Sequence, residues 1–306
     1  MKEIKIKSFD EKELHTSLWD DVEKPVGVLQ LVHGSCEHAF RYNDFASTLN
    51  KNGWIVVAND HRGHGKTADL ANNELGYLAD DDGWNTIIHD LKIVNDFIKK
   101  TYPNLKIVML GHSMGSFMAR TYLIDYPETL SGCVLSGTAW HSKFVLKFGT
   151  NVAKKNQKKF GPKHIDKYIW KLSYRPLNKK FKKEGTTGCE WLSINQENVK
   201  KFNDDELCGQ IFTSSTFKDM FSGILYNQNQ KNILKMNSNT PILLVAGTND
   251  PVGAYGKGVK KTYQAFLKAN KNVKLKFYEN LRHEILFDND KDLVEKDTIA
   301  FLNSCL

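Results

Sequence analysis

Two stretches at the start of the chain, 3–9 and 12–19, alternate polar and apolar positions with a period of two, which predicts a β-hairpin at the open edge of a sheet. The pattern then changes. Residues 26–32 read Val-Gly-Val-Leu-Gln-Leu-Val, the near-continuous apolar run of a strand covered on both faces, and similar runs recur at 54–58, 106–110, 132–138 and 241–246. Between them the apolar residues fall three and four apart. Ile87, Ile88, Leu91, Val94, Phe97 and Ile98 place a helix over 83–101, and helices are predicted at 41–51, 114–126, 257–269 and 291–303, with a last strand at 273–278. Gly53 and Pro103 punctuate the pattern. Buried strands alternating with helices predict an α/β fold, a mostly parallel central sheet with helices on both faces.

Residues 140–238 break this rhythm. The stretch is rich in Lys, Asn and Gln, has no buried-strand run, and predicts short helices. It reads as a helical cap inserted between two sheet strands, leaving 1–139 and 239–306 as the core. Composition fits a soluble globular protein, with 41% hydrophobic and 25% charged residues. No apolar run is long enough to span a membrane, and the charged, alternating N-terminus carries no signal-peptide pattern, so a cytoplasmic protein is expected. The five cysteines are odd in number, scattered and without a CxxC pair, which argues against a disulfide framework and a zinc site and gives no reason to expect a metal.

Candidate chemistry sits where strand turns into helix. Gly111-His112-Ser113-Met114-Gly115 matches GxSxG, a weak motif alone, but it follows an apolar strand and opens a helix, the context a nucleophile elbow requires. A strained turn lifts the Ser113 hydroxyl above the sheet, and the helix beginning at Met114 points free N–H groups at it. The Met114 N–H is thus a natural oxyanion donor.

A serine hydroxyl needs a neighbouring base. In α/β-hydrolase folds the chain order is Ser, then Asp or Glu, then His. The strand ending at Ala246 leads to Gly247-Thr-Asn-Asp250-Pro251, and the strand 273–278 leads to His283. Other histidines precede Ser113 or fall in the cap, Asp288 and Asp290 follow His283, and Glu279 lies only four residues before it. Ser113, Asp250 and His283 are therefore the expected nucleophile, orienting acid and base. The Ser35 N–H, in the loop after strand 26–32, is the expected second oxyanion donor.

Five blocks in order, His-Gly-Ser-Cys-Glu-His-Ala-Phe-Arg-Tyr (33–42), Asp-His-Arg-Gly-His-Gly (60–65), Gly-His-Ser-Met-Gly (111–115), Gly-Thr-Asn-Asp (247–250) and Arg-His-Glu-Ile-Leu (282–286), resemble monoacylglycerol lipases and bacterial lysophospholipases. The resemblance spans the chain outside the cap. It implies a serine carboxylic-ester hydrolase that releases a fatty acid from a monoacylglycerol- or lysophospholipid-like substrate through an acyl-enzyme, without a cofactor, and an oxyanion hole made by Ser35 and Met114. In lipases of this group the positions matching Glu37 and Arg41 lie near bound glycerol, although these residues could equally form a structural ion pair. Asp60 and His64 read as structural.

The formal charge of +8 is concentrated in the cap, where 143–183 holds fourteen Lys and Arg against one acid, Asp166, interleaved with Phe, Tyr, Trp and aliphatic residues. This pattern admits peripheral contact with an anionic membrane, or a solvated lysine-rich face with its aromatics packed inward. No nucleic-acid motif accompanies the charge. Alternatives to a lipid esterase are a thioesterase or short-chain esterase, or a lipid-binding protein on a hydrolase scaffold. An aminopeptidase of this fold would call for His-Gly-Gly-Pro-Gly at 33–37.

Overall fold

The computed structural model describes residues 1–306. Eight strands form one sheet: β1 (Lys2–Lys7), β2 (Glu13–Trp19), β3 (Gly27–Val32), β4 (Trp54–Asn59), β5 (Lys106–His112), β6 (Gly132–Ser136), β7 (Ile242–Gly247) and β8 (Val273–Tyr278). Their spatial order is β1-β2-β4-β3-β5-β6-β7-β8. The first two pairings, β1 with β2 and β2 with β4, are antiparallel; all others are parallel. The predicted edge hairpin and the mostly parallel sheet are both present, and the structure is an α/β-hydrolase fold.

Period-two alternation within each strand feeds two cores. Val28 and Val32 of β3 face one apolar cluster, and Leu29 and Leu31 face the other. The larger lies under α2 (Gly83–Thr101) and α3 (Met114–Asp125), the smaller under α1 (Asn43–Lys51) and the C-terminal helix (Lys291–Ser304). Gln30 is the polar exception in β3. Its amide donates to the Leu91 carbonyl (2.8 Å) and accepts from Asn95 (2.8 Å), so both halves of the buried group are satisfied.

The segment between β6 and β7 is helical: α4 (Lys143–Phe160), α5 (Lys167–Ser173), α6 (Gln196–Asp204), α7 (Ser214–Asn227) and α8 (Gln230–Ile233), followed after β7 by α9 (Lys257–Lys268) and, after β8, by α10 (Lys291–Ser304). Part of this stretch belongs to the core. The Gly83 N–H at the start of α2 donates to Asp219 of α7 (2.7 Å), and Asn227 at the end of α7 donates to the Phe117 carbonyl of α3 (2.9 Å). Helix α7 thus docks on α2 and α3, and α4 lies along α7.

The chain runs from β3 to β4 on one side and returns to β5 on the other, and the loops after β3 and β5 line one cavity. Three imidazoles from the loops after β3 and β4 pack beneath it. His33 and His61 stack with ring centres 3.8 Å apart, and His64 lies 5.4 Å from His33. The His61 backbone N–H donates to His33 Nε2 (3.0 Å), so that nitrogen bears no proton, and Nδ1–H faces the Gly34 carbonyl (2.8 Å). Burial, with the neighbouring imidazoles adding to it, holds His33 well below the ordinary histidine range and His61 down at about 3; burial also takes His64 to about 4.

An unfolded chain would protonate these histidines near 6.5, whereas the native chain keeps them neutral to far lower pH. Folded pKa values below the unfolded one mean that stability is lost as pH falls below about 6.5, on the order of 2 kcal/mol per histidine by pH ~5. Thermal melts at neutral pH and at pH ~5 should show a marked drop in Tm on the acid side; equal Tm values would contradict neutral native histidines.

Candidate active site

Ser113 occupies the turn from β5 to α3 with φ 52 and ψ −119, a backbone conformation L residues rarely adopt. The turn is over-determined by its surroundings. The Ser113 N–H donates to the Ser136 carbonyl (2.9 Å), and the Ser113 carbonyl accepts from the Ser116 N–H (2.9 Å) and hydroxyl (2.6 Å). Gly115 is required by close approach, since a Cβ there would run into the carbonyl oxygens of Val32 and His33. Gly34 is similarly confined: a Cβ would lie 3.1 Å from that of Ser113. The loop after β3 therefore rests directly against the serine.

Asp250, in the turn after β7, is fully buried, with its Oδ1 accepting the Val252 N–H (2.8 Å) and its Oδ2 3.0 Å from Nδ1 of His283. His283 is 1% exposed, its Nε2 is buried without a hydrogen-bond partner, and it lines the same cavity as Ser113. Burial disfavours its charged form, but the Asp250 carboxylate outweighs that through charge and hydrogen bond, and its pKa is raised. The loop carrying it is fastened on both sides: Arg282 donates to the Glu190 carbonyl (2.6 Å), and Asp288 accepts the N–H groups of Ile194 (3.1 Å) and Asn195 (3.2 Å). Asp288 is thus engaged by backbone, and Glu279 is exposed.

Glu37 and Arg41 belong to a buried ionic cluster whose third member, Glu284, the sequence reading did not single out. Arg41 forms a two-pronged pair with Glu284 (2.7 and 2.9 Å), reaches Glu37 (2.5 Å) and Asn198 (3.2 Å), and is flanked by the rings of Phe202 and Phe287. Against its burial, Arg41 takes Glu284 down to about 2; burial holds Glu37 above the ordinary carboxylate range, opposed by Arg41 and reinforced by Glu284. Glu37 also accepts from the Gly34 N–H (2.5 Å) and the Tyr42 hydroxyl (2.9 Å). Glu37 and Glu284 line the cavity, whereas Arg41 does not. Glu284 stands beside His283 in the Arg-His-Glu block, so adjacency to the expected base was the available signal.

Asp60 accepts the N–H groups of Ala39 and Lys66 (both 2.8 Å) and so supports the Glu37 loop from below. One group of metal-ligand types exists, His38, Asp205 and Cys208, with donor atoms within 4.8 Å of one another; His38 and Asp205 are hydrogen-bonded to each other at 2.8 Å.

Two cavities meet at Ser113, sharing Ser35, Ser113, Tyr174 and Trp191. The larger, about 630 Å³, is polar at its floor, where His283, Glu37 and Glu284 lie. The other, about 430 Å³, is apolar, with 16 hydrophobic residues among the 22 that line it; Met114, Leu146, Ile169, Met220 and Ile224 form its walls. The Tyr174 hydroxyl donates to the Ser35 hydroxyl (3.1 Å), joining the cap to the loop after β3. Tyr174 and Trp191 fall in the stretch where no pattern was legible.

Residues 23–290 match the Hydrolase_4 family, described as serine aminopeptidase, S33. The chain is 24% identical over 295 residues to the monoglyceride lipase homolog of Monkeypox virus, covering 93% of this chain and 91% of that one. It is 34% identical over 122 residues to the monoacylglycerol lipase of Mycolicibacterium smegmatis, covering 40% of this chain and 41% of the relative. Among solved structures, a thermostable carboxyl esterase from Bacillus coagulans in complex with glycerol superimposes with a TM-score of 0.92 at 28% identity, covering 99% of this chain and 98% of the other. The match runs through both sheet halves and the segment between them, and the chain belongs to the serine aminopeptidase S33 family, as an α/β-hydrolase of the monoacylglycerol lipase-like kind.

Proposed function

We propose that this carboxylic-ester hydrolase releases a fatty acid from a monoacylglycerol- or lysophospholipid-like substrate through an acyl-enzyme on Ser113. The observation that carries the reading is the meeting of an apolar cavity and a second one lined by charged side chains at a serine on a strained turn, beside an imidazole held by a buried carboxylate. An ester of a long acyl chain and a small polar alcohol has that shape. The glycerol bound to the Bacillus coagulans esterase is consistent with the alcohol side.

In the proposed reaction His283 Nε2 takes the proton from Ser113 as Oγ attacks the ester carbonyl, while Asp250 keeps the imidazole oriented and stabilises its charged form. The carbonyl oxygen gains the negative charge and is met by the N–H groups of Ser35 and Met114. The bond to the alcohol oxygen breaks as His283 returns the proton to it, leaving acyl-Ser113. Water, deprotonated by His283, then attacks the acyl carbon; the bond from that carbon to Ser113 Oγ breaks as His283 returns the proton to Oγ, and the fatty acid leaves. The family description names an aminopeptidase, but the apolar cavity at Ser113 favours an acyl group.

Ser113→Ala should abolish labelling by a fluorophosphonate probe and lower kcat on 1-monoacylglycerol by several orders of magnitude, about 10⁶-fold where such a serine has been removed elsewhere. Wild type assayed on p-nitrophenyl esters should favour medium or long acyl chains; activity on acetate alone would remove the lipid reading and leave the nucleophile intact.

Only the neutral imidazole can accept the Ser113 proton, and Asp250 raises the pKa of His283. On a non-ionising ester, kcat/KM should therefore climb with pH through a limb centred above 6.5. A limb near pH ~5.5 would contradict the coupling to Asp250.

The mouth of the apolar cavity supports a further reading, peripheral contact with anionic lipid. Val145, Phe148 and Leu172 line the cavity yet are exposed, and Phe144 beside them is 80% exposed, with Lys143, Lys147 and Lys171 interspersed. Such a patch should bind vesicles containing phosphatidylserine, and binding should weaken as salt is raised. Salt-indifferent sedimentation would remove the electrostatic part of this reading, and no sedimentation with Phe144 and Phe148 intact would argue that the patch is only solvated surface.

A further inference from the structure

The polar cavity has a charged mouth that the ester chemistry does not use. Lys167 and Lys171 of α5 and Arg175 just beyond it follow one another four apart, on one face of a continuous helical path, and all three line this cavity. Trp170 and Tyr174, stacked with ring centres 4.1 Å apart, alternate with them along the same wall. None of the three cations lies within ion-pair distance of a carboxylate.

The acids that could neutralise them are engaged elsewhere. Asp166, the only acid in the basic stretch, is 1% exposed and turned inward: it accepts the Ile169 N–H (3.0 Å), the Asn156 amide (2.8 Å) and the Ser214 hydroxyl (3.0 Å). Glu37 and Glu284 on the cavity floor are held by Arg41. The ionic groups left without partners at the mouth are thus all positive. Their place relative to the serine is set, because Asp166 caps α5 and Tyr174 bonds to Ser35.

Resting on the lipid-ester reading above, we propose that Lys167, Lys171 and Arg175 form a subsite for an anionic leaving group, fitting the enzyme to single-chain lipids whose glycerol carries a phosphate. Guanidinium and ammonium groups at one opening suit phosphate oxygens, through charge-assisted hydrogen bonds that a neutral glycerol cannot supply. The apolar cavity then takes the acyl chain, Ser113 the ester, and the cationic rim the far end of the alcohol. A phosphate could also be met at a bilayer surface, so the test uses substrates dissolved as monomers.

The measurement is the ratio of kcat/KM for 1-hexanoylglycerol 3-phosphate to that for 1-hexanoylglycerol, without vesicles. Lys167→Gln/Lys171→Gln/Arg175→Gln should lower this ratio about tenfold or more. Raising salt from about 20 mM to about 500 mM should lower it in wild type and leave the triple variant nearly flat. The wild-type salt response stands even if that variant folds poorly. Lys154→Gln/Lys155→Gln/Lys158→Gln, on α4 away from the cavity, should not change the ratio. A ratio equal in wild type and rim variant, or lowered equally by the α4 variant, would overturn the subsite while sparing the lipid-ester reading. Failure to cleave either hexanoyl lipid, with p-nitrophenyl esters still cleaved, would overturn both.

Discussion

Val32 pairs with Gly111 across the parallel ladder of β3 and β5, and the position of Ser113 against the loop bearing Ser35 follows from that register. It makes the two strands end together, so the loop beginning at His33 and the turn at Ser113 emerge side by side. The missing side chain of Gly115 then lets the first turn of α3 rest on the carbonyls that end β3. A parallel pair has no turn to set its register, and here the burial of both faces of β3 sets it. A slip of one residue would carry Val28 and Val32 to the wrong core and Gly34 away from Ser113.

The second constraint is electrostatic. Arg41 lies beyond the end of β3 and Glu284 beyond the end of β8, so their two-pronged pair ties the loop bearing Ser35 to the loop bearing His283. Burying one guanidinium among two carboxylates is costly, and removing a single member of such a cluster typically costs about 3–5 kcal/mol because the remaining charge is left unmatched. The cost is tolerable here because Asn198, Tyr42 and the Gly34 N–H satisfy the remaining polar positions. The arrangement also accounts for the direction of the His283 shift, since Glu284 and Glu37 add to the effect of Asp250. Sites that hold a base above its ordinary range in a buried position need such fixed negative charge nearby.

The sheet was legible because its signals are local. Continuous apolar runs mark strands covered on both faces, and the predicted starts of α2, α3, α9 and α10 coincide with the observed ones. The nearness of His283 to Asp250 was legible because strand ends on one side of a parallel sheet converge, whatever lies between them in sequence. What could not be read is partner choice across long separations. Arg41 offered Glu37 four residues away, yet its two-pronged partner lies 243 residues on. Tyr174 could have been cap packing; only the folded chain brings its hydroxyl to Ser35, 139 positions earlier. Likewise the docking of α7 rests on Asp219 and Asn227, whose partners lie far away in sequence on α2 and α3.

The two cavities differ in charge, since Lys, Arg and Glu side chains line only the larger one. On the proposed reading, an acyl chain placed beside Lys167, Lys171 and Arg175 would desolvate these cations without giving them partners, whereas a glycerol on the apolar side would bury hydroxyls among Leu146, Met220 and Ile224. Both arrangements would carry the penalty of unsatisfied polar groups, so the proposed reading favours one direction of an amphiphilic ester across Ser113. On that reading the acyl-side and alcohol-side residues lie in different cavities that share Tyr174 and Trp191. Helix α5 contributes to both, Ile169 and Leu172 to the acyl side and Lys167 and Lys171 to the other, because its faces turn in different directions. If the proposed substrate is correct, a single short helix anchored at Asp166 separates chain-length from headgroup preference, since the positions involved do not share a face.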